Sequence, residues 1–273
     1  MDRTGIYRPT IEDIAELSNV DTLPPGGMAL TQRMAEVSCM GPETRVLVVS
    51  SARGNQALHY ARVFAAEVVG IDIAPEAVHE ARQRAQAAGL ASRTEFHIAD
   101  AQDLPFEDAT FDIVVNEGAV GIPPRPRKVL SEMVRVARPG GSICFRESTW
   151  RGALDLEEKR ELTERYGTSV LEQQEWLAMM RDVGIGSLTC DVETWSKPEH
   201  FWKVRKDRDV AHYREIYSFG EKLQLGKQLM KRFGRAAVET VRKNEEVFYA
   251  AVEAGKLGYG IYFGRKPNAK GDA

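Results

Sequence analysis

The 273 residues are enough for one substantial core with an appended subdomain. Hydrophobic residues make up 43% and charged ones 28%, an ordinary globular balance, and a net charge of −3 gives no electrostatic pull toward nucleic acid or an anionic membrane. No apolar run approaches the roughly 18 residues a spanning helix needs, no basic stretch leads into an apolar one at the start, and the three scattered cysteines suit reduced, buried thiols. A cytoplasmic protein with no membrane span and no metal is the expectation, since Cys39, Cys144 and Cys190 lack ligand spacing.

In chain order, residues 10–17 carry a helical pattern, broken by Leu23-Pro24-Pro25-Gly26-Gly27, and residues 29–39 carry a second that ends at Gly41-Pro42. From Arg45 the period changes. Val46 to Val49 form a continuous aliphatic run, as in a strand covered on both faces. A helix over 55–65 follows, then a strand over 67–73, a helix over 76–88 opened by Pro75, and a strand over 94–98. Strands over 111–116 and 142–147 flank a helix over 127–137, which stops at Arg138-Pro139-Gly140-Gly141. Beyond Ser148 the pattern loosens. Residues 169–183 read as an amphipathic helix, 187–195 alternate like a strand, 197–254 are mostly helical and charged, and 258–264 form a last strand. Strands alternating with helices indicate a parallel sheet wrapped by helices, with ligands outside the carboxyl ends of its strands. The Lys203-to-Arg208 cluster is interrupted by Asp207 and Asp209 and reads as a solvated helix face.

Asp72 ends the second strand, 18 residues after Gly54. A carboxylate there accepts hydrogen bonds from ribose hydroxyls, or else caps the helix opening at Pro75. Ile73 offers an apolar face for adenine. Asp100 follows the third strand, where it can accept from an adenine amine with the Ala101 backbone alongside, or simply serve a turn.

Four segments together resemble the class I S-adenosylmethionine-dependent methyltransferases, in the small-molecule branch similar to the ubiquinone/menaquinone-biosynthesis enzymes. They are Val68-Val69-Gly70-Ile71-Asp72-Ile73-Ala74-Pro75-Glu76, Ala99-Asp100-Ala101-Gln102-Asp103-Leu104-Pro105-Phe106, Phe111-Asp112-Ile113-Val114-Val115, and Val129 to Gly141. The resemblance covers residues 45–147. It implies an α/β, Rossmann-like, seven-stranded, mostly parallel sheet flanked by helices, with N-terminal helices and a helical insertion before an antiparallel last strand. The sixth strand falls near residues 187–193 and the seventh near 259–264. The implied divisions are an N-terminal helical segment (1–44), an α/β core (45–196), an insertion or lid (197–257), the final strand (258–266) and a tail (267–273).

The first loop departs from the family. Where the family has an acidic residue followed by Gly-x-Gly-x-Gly, this chain has Val48, then Ser50, Ala52 and Gly54. Glycines there let the backbone approach the methionine part of the cofactor and adopt positive φ. Arg53 stands ready to pair with the cofactor's carboxylate, or faces solvent. The resemblance also implies that Tyr7 folds over the cofactor, with a core anchor as the alternative. Cofactor contacts are thus expected at Tyr7, Ser50, Arg53, Gly54, Asp72, Ile73, Asp100, Ala101 and Asn116.

On the acceptor side, Asn116, Glu117 and Gly118 follow the fourth strand. Glu117 is a candidate general base or substrate-orienting group, or a cap. Arg146 and Glu147 end the fifth strand, toward the same cleft or as a structural ion pair. Glu117 and Arg146 are the catalytic candidates. His59 reads as packing or surface, and Trp195, Trp202, Tyr213 and Tyr217 line a pocket or form core. Pro123-Pro124 does not reproduce the Asn/Asp-Pro-Pro-aromatic signature of amino-methylating nucleic-acid enzymes. The expected function is S-adenosylmethionine-dependent methyl transfer to a small-molecule acceptor. The alternatives are a catalytically silent binding or scaffold protein, motivated by the altered loop, and an enzyme that holds its cofactor in a changed pose.

Overall fold

The computed structural model describes residues 23–152, 154–166 and 168–268, with Pro9, Ile14 and Leu17. The expected helix over 10–17 lies largely outside the described residues.

Helix α1 (Gly27–Val37) starts at Gly26 and Gly27, both at positive φ. A Cβ at Gly27 would overlap the carbonyl of Lys203, so this glycine pair seats the segment that precedes the last strand. Leu23 N donates to Val204 O at 2.7 Å and Gly26 N to His200 O at 3.1 Å, completing that seat.

Strand β1 (Arg45–Val49), α2 (Asn55–Val63), β2 (Glu67–Asp72), α3 (Pro75–Ala87), β3 (Thr94–Ile98), β4 (Phe111–Glu117), α4 (Pro126–Val136) and β5 (Ala137–Trp150) follow as alternating units. Proline opens both α3 and α4, where its fixed φ suits the first turn and its missing N–H costs nothing. Then come α5 (Leu156–Tyr166), β6 (Leu171–Glu172), α6 (Gln173–Asp182), β7 (Gly186–Asp191), α7 (Pro198–Phe201), α8 (Phe219–Phe233), α9 (Arg235–Glu253) and β8 (Leu257–Arg265).

The sheet runs β3-β2-β1-β4-β5-β8-β7, with β6 beside the end of β5. Pairings among β1 to β5 are parallel, and β8 is antiparallel to both β5 and β7. Eight strands are therefore described where seven were expected, the extra one being the two-residue β6.

Alternation along the strands splits the core into two layers. Val46 and Val48 face Leu30, Tyr60, Ala81, Cys144, Tyr259 and Ile261. Leu47 and Val49 face Leu130, Met133, Phe145, Trp176 and Tyr262. The segment between β7 and β8 adds Phe201, Trp202 and Val204 to the first layer, so it shares the main core.

Several sequence expectations need correction. The single helix over 169–183 is a short strand followed by a shorter helix, whose capping box pairs Glu172 with Glu175. Helix α5 was not anticipated, because it is charged almost all round. The strand over 187–195 stops at Asp191. Cys39 is exposed, at φ 57°, and does not pack as a buried hydrophobe.

The β3–β4 connection is tied to α4 by ions. Glu132, buried, accepts from Leu104 N at 3.0 Å and from Arg135 at 2.7 Å, while Arg135 donates to the carbonyls of Leu104 and Phe106. The Arg135 hydrogen bond chiefly drives the Glu132 carboxyl down to about 2. A depressed carboxylate stabilises the fold above its unfolded pKa and loses that contribution as pH falls from about 4.5 to about 2. Glu132→Gln should therefore cost about 3 kcal/mol at pH 7. Urea unfolding at pH 7 and pH 3.5 checks this: the gap from wild type should shrink at the lower pH, and an equal gap at both would refute the ion-pair account.

Candidate functional site

The order of the sheet reverses direction between β1 and β4, which opens a crevice above their carboxyl ends. Ser50 follows β1 directly. Ser50 (φ 57°), Ala52 (φ 45°) and Gly54 (φ 80°) are all left-handed. The chain keeps a glycine-type path at two positions that carry a Cβ, at about 1–2 kcal/mol each.

Asp72 holds that path. Its Oδ2 accepts from Ala52 N at 2.8 Å and its Oδ1 from Ala74 N at 3.0 Å. Helix α3 has Ala74 as its N-cap residue without a side-chain cap, so Asp72 braces two loops instead of capping a helix. Each carboxylate oxygen keeps lone pairs for a further donor.

Ile73 is 66% exposed, a large apolar side chain beside that carboxylate. It continues the alternation of Val69 and Ile71, on the layer where Ala101 is buried. Asp100 accepts from Gln102 N through one oxygen at 2.8 Å and is only half-buried. Asn116 pairs in register with Val49, accepts from Ala119 N at 2.8 Å, and buries an Nδ2 donor that meets no partner among the described residues. An exposed isoleucine, two carboxylates with spare acceptor capacity and an orphaned amide donor fit an adenosine moiety.

The Arg53 side chain is placed differently from the cofactor-facing expectation. Arg53 turns to α3, with Nε 3.1 Å from Glu80 Oε2, instead of waiting for a carboxylate or facing solvent. Gly54 caps α2, and a Cβ there would crowd Ala81 and the Phe96 ring at 3.0–3.1 Å, so close packing already requires this glycine. Tyr7 lies outside the described residues.

Glu117 faces the opposite layer from Asn116. Its oxygens accept from Tyr60 Oη at 2.6 Å and Thr31 Oγ1 at 2.8 Å. Burial raises its pKa against the pull of these hydroxyls, Gln56 and the Arg146 charge. Tyr60 is pushed well above its ordinary value by burial and by the neighbouring carboxylate. Arg146 lies against Glu117, reaching its carbonyl through Nη2 at 3.4 Å. Gly118, at φ 89°, makes room for it, because a Cβ there would overlap Nη2.

Glu147 points to the other layer and accepts from Val120 N at 2.6 Å and Gly121 N at 3.0 Å, anchoring the β4 exit loop. It does not share a cleft with Arg146. His59 contacts Gln32 at 3.2 Å in the packing between α1 and α2. Trp195 and Trp202 are buried and Tyr217 is partly buried, all in the first layer; the Tyr213 side chain lies outside those described. Thr31, Tyr60 and Tyr259 were missed by sequence reasoning; for the first two, nothing local marks a helix residue that reaches a strand end 57 to 86 positions away. Of two shallow depressions, the one over α7 is lined by Trp202 and the one along α3 by Glu80; neither includes Asp72, Asn116, Glu117 or Arg146.

Residues 47–145 match the family described as a methyltransferase domain. The methyltransferase GfsG of Streptomyces halstedii is 34% identical over 139 residues, 50% of each chain. The chain spans about half the length of the curated relatives it matches in this region. The 27-O-demethylrifamycin SV methyltransferase of Amycolatopsis mediterranei is 27% identical over 253 residues, 90% of this chain and 86% of the other. Among solved structures, the cyclase SpnF shares the fold with a TM-score of 0.68 at 22% identity, over 88% of this chain and 81% of that one.

The strained loop yields a stability test. Ser50→Gly with Ala52→Gly should relieve left-handed strain and, net of the flexibility glycine adds to the unfolded chain, stabilise by about 0.5–1 kcal/mol per site. Urea unfolding measures it. A loss of stability in the double variant would show that the side chains, not the backbone path, hold this loop.

Proposed function

We propose that the protein, whose residues 47–145 match a methyltransferase domain, transfers a methyl group from S-adenosylmethionine to a small-molecule acceptor. The observation that carries the reading is the left-handed path kept at Ser50 and Ala52 under the brace of Asp72. Backbone strain persists where the surroundings over-determine it, and such places cluster at ligand sites.

Asp72 would take the ribose hydroxyls through its remaining lone pairs, Ile73 would cover the adenine, and Asp100 with Ala101 would meet the adenine edge. Asn116 would donate Nδ2 to the cofactor, and the 50–54 backbone would line its amino-acid end. Arg53, held by Glu80, shapes that loop from outside. When bound, the cofactor supplies an electrophilic methyl on a sulfonium. The chain's own contribution is alignment, the part of catalysis that prepaid orientation supplies. Glu117 holds Arg146 as its counter-charge, and Glu147 fixes the loop after β4, so the acceptor side is positioned from both layers of the sheet.

The match to a 27-O-demethylrifamycin SV methyltransferase over 90% of this chain supports a small-molecule acceptor. The unpaired thiols of Cys39, Cys144 and Cys190 suit a reducing compartment, where we place the protein. A silent binding protein is the second reading, favoured by Arg53 turning away and by the lost glycines.

Isothermal titration with S-adenosylhomocysteine separates the two. Binding is expected, weakened at least tenfold by Asp72→Asn and several-fold by Ile73→Ser. Ile73 is exposed and braces nothing, so Ile73→Ser should leave stability within about 0.5 kcal/mol. Absence of any titration signal from the folded wild type would leave the binding-protein reading standing.

A further inference from the structure

Buried donors in folded proteins find acceptors. Arg146 Nε and Tyr259 Oη are buried and find none among the described residues. Arg146 is 5% exposed and Tyr259 1%. They are neighbours: Arg146 pairs with Ile261 and Ser148 with Tyr259 across β5 and β8, so both side chains leave the sheet on one face. The guanidinium lies 5.5 Å from the centre of the Tyr259 ring.

The Arg146 charge is balanced but its hydrogen bonds are not. Glu117 is the near anion, but its two oxygens accept from Tyr60 and Thr31 and are turned to those hydroxyls. The guanidinium reaches only the Glu117 carbonyl, at a long 3.4 Å, among the described residues. Gly118 keeps space clear for it. Arg146 Nε can only donate, and the Tyr259 hydroxyl can donate as well as accept, so one acceptor would match both, and beside a guanidinium the favoured acceptor is an anionic oxygen.

We infer that Arg146 and Tyr259 form the acceptor-substrate site of this protein and that it takes an oxyanion: a carboxylate, phenolate or enolate. The inference rests on the methyl-transfer reading only for its name as an acceptor site. An acceptor that arrives ionised has no proton to surrender, so the site needs no general base. Glu117 is then a positioning residue for Arg146. Phe201 packs on Tyr259 at 5.2 Å between ring centres.

The test titrates the full chain, with and without S-adenosylhomocysteine, against matched probes read by ligand-observed NMR: benzoate against benzamide, phenylacetate against phenylacetamide, and 4-nitrophenolate against 4-nitroanisole. At least one anion should bind roughly tenfold or more tightly than its neutral partner. Arg146→Met should abolish that margin and Tyr259→Phe should cut it several-fold. Tyr259→Phe keeps the ring and removes an unmatched hydroxyl, so it should melt no lower than wild type, and its effect on binding is not an effect on folding. Equal binding of anions and neutrals, binding of neither, or a full margin in Tyr259→Phe would overturn the proposal. An intact anion margin without S-adenosylhomocysteine binding would instead overturn the methyl-transfer reading and leave the oxyanion site in place.

Discussion

One carboxylate, that of Asp72, decides the shape of the crevice. It lies at the end of β2 and takes the Ala52 N–H from the loop after β1 and the Ala74 N–H from the loop after its own strand. Without it, Ser50 and Ala52 would relax from the left-handed region that L residues avoid, and β1 would run into α2 by another route. The brace also explains how the loop dispenses with two glycines. A Cβ at φ 45–57° is strained but not forbidden. A charge-assisted hydrogen bond offsets strain of that order.

A second constraint acts through β4. Adjacent residues on a strand point to opposite faces, so Asn116 and Glu117 address different layers of the molecule from one strand end. Asn116 shares a layer with Ile73 and Ala101; Glu117 joins Thr31, Tyr60, Arg146 and Tyr259. In the proposed reading this lets one strand serve cofactor on one side and acceptor on the other. The order of the strands makes this possible, because β4 lies at the reversal, with β1 on one flank and β5 on the other.

Much of the fold was legible because it is local. The run Val46 to Val49 marks a strand covered on both faces, Pro75 marks a helix start, and the switch of period separates them. What was missed depends on distant partners. Residues 171–172 carry a helical pattern but pair with Thr149 and Trp150. The Arg138 to Gly141 turn signal lies inside β5, where Gly140 takes φ 74° and its N–H goes to Lys266 O, so the strand continues past a bulge. In the site, Asp72 and Asp100 could be read from their strand ends, whereas the attachment of Arg53 to Glu80 follows from how α3 packs. The donors around Glu117 come from helices that only the folded sheet brings near.

The two poles of the site differ in how their polar groups are satisfied, and that difference carries chemical meaning. Around Asp72 every described hydrogen bond supports the backbone, with lone pairs left over on a half-exposed group. Around Arg146 the donors are left over, and they are buried. A spare acceptor near solvent costs little because water meets it, but a spare donor in the interior bears its full desolvation penalty. The core around Arg146 could have been apolar: Ile261 and Cys144 occupy the same layer beside it. A polar group kept there at a cost in stability, with Gly118 held open for it, is better explained by a ligand that completes it than by the fold it weakens.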